Sequence, residues 1–117
     1  GMGAIGERIA RRAQDFEMPV TYHARTERPG LPWAYAPSVL ALAEAVDHLV
    51  VAVPGGAATR HLVDAAVLRA LGPRGILVNV GRGTVVDTAA LVAALEAGEL
   101  AGAALDVFEE EPAIPPA

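Results

Sequence analysis

Three glycines, Gly1, Gly3 and Gly6, stand in a G-x-G-x-x-G arrangement at the head of the sequence. That spacing suits a loop that cradles a pyrophosphate. The first glycine permits a tight turn, the second lets the backbone approach the ligand, and the third lets a helix and a strand pack closely. The amides of the following turn, at Ala4 and Ile5, then face the phosphates. The motif needs a strand before it and a helix after it, and only the helix is legible here; taken alone, the glycines serve equally well as turn residues. About twenty residues further on, a dinucleotide fold usually places Asp or Glu against the ribose 2′-hydroxyl. The segment "YHARTER" carries Ala24 and Arg25 there instead. A carboxylate would repel a 2′-phosphate, whereas a guanidinium grips it bidentately, so Arg25, with Thr26 beside it, predicts NADP over NAD. The plain alternative is a solvated surface arginine.

Helices and strands must alternate to place these groups. Ile5 to Phe16 reads as an amphipathic helix, and "MPVTYHA" (Met18–Ala24) as a short strand. "RTERPGLP" is a loop and "WAYAP" a very short strand; Ser38 caps a helix over "SVLALAEAV". The runs His48–Pro54, Ile76–Val80 and Ala101–Phe108 are continuously apolar, as in strands buried on both faces. A helix is expected over Thr59–Leu71 with Thr59 as its cap, and another from Asp87 through Ala97. The pattern is α/β, a Rossmann-like doubly wound, mainly parallel sheet that lacks its first strand. Strand C-termini share one edge in such a sheet, and ligands bind there. The unusual residues fall at those ends: Gly1–Gly6, Arg25, Pro54–Gly56, Asn79–Gly83 and Asp106–Glu111.

Composition narrows the partners. The 117 residues suffice for one domain, 53% are apolar, and the net charge is −5 with arginine as the only strong base. Nucleic acid and anionic membranes are thereby disfavoured as partners. The absence of cysteine excludes a disulfide framework or thiolate metal site. No apolar run reaches a membrane span and no signal-peptide pattern is visible, so a soluble, cytoplasmic domain is expected.

The stretches "GMGAIG", "VVAVPGGAATRHLV" and "LVNVGRGTVVDTAALVAALEAGELAGAALDVFEEEP" resemble the nucleotide-binding domain of the D-2-hydroxyacid dehydrogenases, and most of all the glyoxylate/hydroxypyruvate reductases. The resemblance implies hydride transfer between NADP(H), or NAD(H) as second choice, and C2 of a small 2-keto or 2-hydroxy acid. It assigns Arg82, in the Asn79–Gly83 loop, to the substrate carboxylate and carbonyl, where a fixed positive charge meets developing negative charge. It assigns Glu111 to the catalytic histidine, whose pKa it would raise for general-acid work. Asp106 would contact the nicotinamide end, Val80 would border the nicotinamide, and Pro54 the adenosine. The plainer readings are an Arg82–Asp87 pair, a solvated acidic run at Glu109–Glu111, and a turn cap at Asp106.

The sequence departs from the family in one catalytic group: none of His23, His48 and His61 stands in the family's histidine motif. The 117 residues are therefore expected to form a partial dinucleotide-binding domain without the substrate domain, inactive in isolation. A missing first strand would leave the segments around Val20 and Val51 with unpaired edges. Either those strands close on each other, or a second chain covers the gap in a homodimer, the arrangement the resemblance favours. The alternatives are a non-catalytic nucleotide-binding or dimerisation module and, more remotely, a methyltransferase-like fold, which Ala24 and Arg25 oppose.

Overall fold

The computed structural model of the chain describes residues 1–107. In order, it contains α1 (Ala4–Asp15), β1 (Thr21–Tyr22), β2 (Ala34–Tyr35), α2 (Val39–Ala45), β3 (His48–Val51), α3 (Ala65–Leu71), β4 (Ile76–Asn79), α4 (Thr88–Glu96) and β5 (Gly102–Leu105), with a 3-10 turn at Gly83–Val85. All strand pairs are parallel. β3, β4 and β5 form one sheet, with His48 opposite Ile76 and Ile76 opposite Gly102. β1 and β2 form a separate two-stranded ladder.

Local chemistry accounts for the helix starts. Ser38, Asp64 and Asp87 each accept a hydrogen bond from the backbone N–H three residues on, at Ala41, Val67 and Ala90. Such caps contribute about 1 kcal/mol each. The helix expected from Thr59 begins only at Ala65. Thr59 spends its hydroxyl on the Pro54 carbonyl at 2.7 Å, and His61 adopts φ +51°, so the segment between them is a turn. The Met18–Ala24 strand shortens to Thr21–Tyr22.

Side chains of period two on β3 and β4 build the main core. Leu49, Val51 and Leu77 meet Leu42 and Ala43 of α2, Val67, Leu68 and Leu71 of α3, and Leu91 and Ala94 of α4. Leu68 and Leu77 are almost wholly buried, each contributing roughly 1.5–3 kcal/mol by leaving water. The opposite face stays half-exposed at Val50, Ile76 and Val78. Burial on both faces, expected from the apolar runs, therefore fails within the described residues, and most plainly at β5, where Ala103 and Ala104 are exposed. Among the described residues β5 ends the strand order and only β4 pairs with it. A smaller core of Met2, Ala10 and Tyr22 ties α1 to β1.

β1 and β3 do not pair with each other among the described residues. A cleft of about 350 Å³ separates them, lined by α1 (Ile9, Ala10, Ala13), by α2 (Leu42, Ala45), and by residues of β1 and β3. Asp47 and Val51 present their carbonyls to Ile76 and Val80 of the β4 side. Alternation therefore turns the backbone groups of His48, Val50 and Ala52 into the cleft. Tyr22 likewise faces β2 through its carbonyl, which accepts from Ala36, leaving Thr21 and His23 to face the cleft.

Candidate functional site

The glycine loop closes onto the end of β3. A Cβ on Gly6 would lie 2.1 Å from the Gly1 carbonyl oxygen, and one on Gly1 would lie 2.6 Å from the Val53 side chain. Both positions exclude a side chain by contact. Gly3 differs, because a Cβ there would meet nothing within 4 Å. Its backbone fronts open space, as a loop that admits a ligand must. Gly3 is also the N-cap of α1 and supplies no side-chain cap, in contrast to Ser38, Asp64 and Asp87. The first-turn amides, with Ala4 and Ile5 exposed, are thus available to an anion. The residues present fit a dinucleotide's phosphates.

Beyond β1, three hydrogen bonds brace the 23–28 segment. The Tyr35 hydroxyl donates to the Ala24 carbonyl at 2.8 Å. The Tyr22 hydroxyl accepts from the Arg28 N–H at 2.9 Å and donates to the Arg28 carbonyl at 3.2 Å. Between these anchors Arg25 and Thr26 are exposed, and Arg25 forms no ion pair among the described residues. The Arg28 guanidinium donates to the Met2 carbonyl and lies 3.3 Å from a Glu7 carboxylate oxygen. Glu7 also accepts from Arg11 at 2.8 Å. The Arg11 hydrogen bond, opposed by some desolvation and aided by the charges of Arg11 and Arg28, holds the Glu7 carboxyl below its ordinary pKa.

After β4, Asn79 organises the arginine loop. It is buried at 1% exposure, yet both ends of its amide are used. Its Nδ2 donates to the Arg82 carbonyl and its Oδ1 accepts from the Gly81 N–H, each at 3.0 Å. Arg82 itself is exposed, and its stem lies against Gly55, whose Cβ would be 3.0 Å from Arg82 Cγ. The predicted alternative pair with Asp87 does not form among the described residues. Asp87 caps α4 through Oδ1, and its Oδ2 lies 3.9 Å from His61 Nδ1. Pro54 is exposed beside this loop, Val80 donates its N–H to the Val51 carbonyl, and Asp106, also exposed, donates its N–H to the Asn79 carbonyl. Glu111 lies outside the described residues.

Among the described residues, the predicted segments are linked neighbour to neighbour: the 25–28 segment to Met2, Gly1 to Val53, Val53 to Gly81, Gly55 to Arg82, and Asn79 to Asp106. They occupy one rim at the C-terminal ends of the strands. Sequence reasoning missed the braces. Asn79 signals itself as the one polar residue in "ILVNV", but Tyr22, Glu7 and Arg28 act through contacts distant in sequence. None of the three histidines stands in the family's histidine motif. His23 donates from Nδ1 to the Ala36 carbonyl, His48 opens β3 at its other end, and His61 sits in a turn, not at a helix start as expected.

Residues 1–117 match the family described as D-isomer specific 2-hydroxyacid dehydrogenase, NAD binding domain. Glyoxylate/hydroxypyruvate reductase A of Arabidopsis thaliana is 50% identical over 115 residues, which are 98% of this chain and 37% of that protein. A glyoxylate reductase of Thermococcus onnurineus is 45% identical over 96% of this chain and 34% of its own length. An NADPH-dependent glyoxylate/hydroxypyruvate reductase of Sinorhizobium meliloti, solved with NADP and malonate, superposes with a TM-score of 0.97 at 56% identity, covering 99% of this chain and 36% of that one. The chain thus spans little more than a third of the length of these relatives.

Proposed function

The chain belongs to the D-isomer specific 2-hydroxyacid dehydrogenases, as their NAD-binding domain, and from that premise we propose that it is the coenzyme-binding portion of an NADPH-preferring reductase of glyoxylate or hydroxypyruvate. The cofactor, when bound, supplies the hydride. The first-turn amides of α1 hold its pyrophosphate, and Arg25 with Thr26 holds the 2′-phosphate. Val80 and Asp106 border its nicotinamide end and Pro54 its adenosine end. Arg82 binds the substrate carboxylate and polarises the carbonyl. Glu111 partners an imidazole supplied by residues outside these 117, as is the substrate domain. The observation that carries this reading is the unbroken rim from Arg25 to Arg82.

Titration of the chain with NADPH, NADH and S-adenosylmethionine tests it. NADPH is expected to bind most tightly and S-adenosylmethionine not at all. Arg25→Asp should reverse the NADPH preference, and an unchanged ratio would show Arg25 to be a bystander. Turnover of glyoxylate or hydroxypyruvate by the pure 117-residue chain would contradict its assignment as a partial, inactive domain. NADPH binding in a longer chain that still lacks turnover would favour the non-catalytic module instead.

The proposal extends to self-association in the cytoplasm. The 80% exposure of Phe16 is a feature that a second copy would cover. A monodisperse monomer in light scattering at micromolar concentration would refute the dimer. Among the described residues no helix is long and apolar enough to cross a membrane.

A further inference from the structure

We propose that Arg28 is a positioning residue for cofactor discrimination: it clasps the loop that carries Arg25 and Thr26 to the glycine loop, so that the two phosphate-binding elements hold a fixed separation. This inference rests on the NADPH reading above.

The geometry has two parts. The Arg28 backbone is fixed by the Tyr22 hydroxyl, which bonds both its N–H and its carbonyl. Tyr22 is itself 3% exposed and meets Tyr35 edge-on at 5.2 Å. That half anchors the end of the loop to the smaller core. The Arg28 guanidinium then reaches across 26 residues of sequence to the Met2 carbonyl, and to Glu7 one turn into α1. Met2 lies between the first two glycines of the phosphate loop and is buried. One side chain therefore joins the pyrophosphate-binding backbone to the segment that carries Arg25. A dinucleotide's 2′-phosphate and pyrophosphate are separated by a ribose of fixed size. A loop held at that separation binds both groups at little further entropic cost, and a loose one must be ordered by the ligand. NADH makes no use of Arg25, so the clasp bears on NADPH alone. The exposed ion pair contributes little to stability by itself, which separates positioning from folding.

The test uses the 117-residue chain with NADPH and NADH, and limited trypsinolysis without nucleotide. Arg28 precedes Pro29 and resists trypsin, so Arg25–Thr26 is the cleavable bond of this loop. Arg28→Met should weaken NADPH about tenfold, leave NADH within about twofold, and speed cleavage at Arg25 roughly threefold or more. Arg28→Lys, which reaches one partner but not both, should recover part of the loss. Glu7→Gln separates the clasp from a direct contact of Arg28 with the 2′-phosphate. It should weaken NADPH if Arg28 positions the loop, and a gain in NADPH affinity overturns the proposal. Equal loss of both nucleotides in Arg28→Met, or unchanged cleavage at Arg25, also overturns it. If Arg25→Asp leaves the nucleotide ratio unchanged, the NADPH reading fails. If Arg25→Asp shifts the ratio and Arg28→Met does not, only the clasp fails.

Discussion

Asn79→Ala isolates what the arginine loop costs to build. The wild-type amide is buried and makes two hydrogen bonds at 3.0 Å, one to each side of the turn that presents Arg82. Each such bond is worth about 0.5–1.5 kcal/mol net, and truncation leaves the Gly81 N–H and the Arg82 carbonyl without those partners. A loss of roughly 2 kcal/mol follows, and for a domain of this size about 4 °C or more in Tm per kcal/mol. Asn79→Asp sharpens the test. It keeps the Gly81 acceptor but places a carboxylate against the Arg82 carbonyl in a buried site, so its folded pKa rises above the unfolded value of about 3.9. The penalty is then complete above the folded pKa and disappears as pH falls below the unfolded one. Urea denaturation at pH 7 and at pH 4.5 would measure both variants. Asn79→Asp should approach the wild type on acidification, whereas Asn79→Ala should keep a constant deficit. A deficit under about 0.5 kcal/mol for Asn79→Ala, at the level of an ordinary surface substitution, would refute the argument that this side chain holds the loop.

Gly6→Ala must displace α1 or the Gly1 carbonyl, because its methyl would sit 2.1 Å from that oxygen, and denaturation should show a loss of about 1–3 kcal/mol. Gly3→Ala meets no atom of the chain and should leave stability within about 0.5 kcal/mol while lowering NADPH affinity in a fluorescence titration. Leu77→Ala, at a fully buried position of β4, should lose about 2–5 kcal/mol by chemical denaturation. The Glu7 carboxyl should titrate by NMR below its ordinary value of 4.5. Its folded pKa is depressed, so its contribution to stability is present above the unfolded pKa and is lost as pH falls through the folded one.

The sequence made some elements legible and hid others for physical reasons. Ser38 and Asp87 are visible as caps because the chemistry lies within three residues. The true cap of α3 is Asp64 and not Thr59, since Thr59 prefers a carbonyl behind it and His61 takes a left-handed backbone. Apolar runs located β3, β4 and β5, but periodicity cannot tell whether a neighbour exists to cover each face, and Ala104 proved exposed. Gly1, Gly3 and Gly6 were readable from their spacing and Arg25 from its place about twenty residues further on, whereas the role of Arg82 came from the family resemblance of its loop. The bridge from Arg28 to Met2 and Glu7 was not readable, because it forms only once α1 and β1 lie side by side.

The division of the interior into two cores bears on how the chain holds a ligand. Among the described residues, fifteen buried side chains secure the three-stranded half, and three secure the half that carries Arg25. Amide exchange should therefore be slow in Leu77 and its neighbours and rapid around Tyr22, as separate opening units. The end of a dinucleotide that distinguishes NADPH from NADH would be gripped by the softer half, so nucleotide binding would stiffen that half most and its choice of coenzyme would be written largely in entropy.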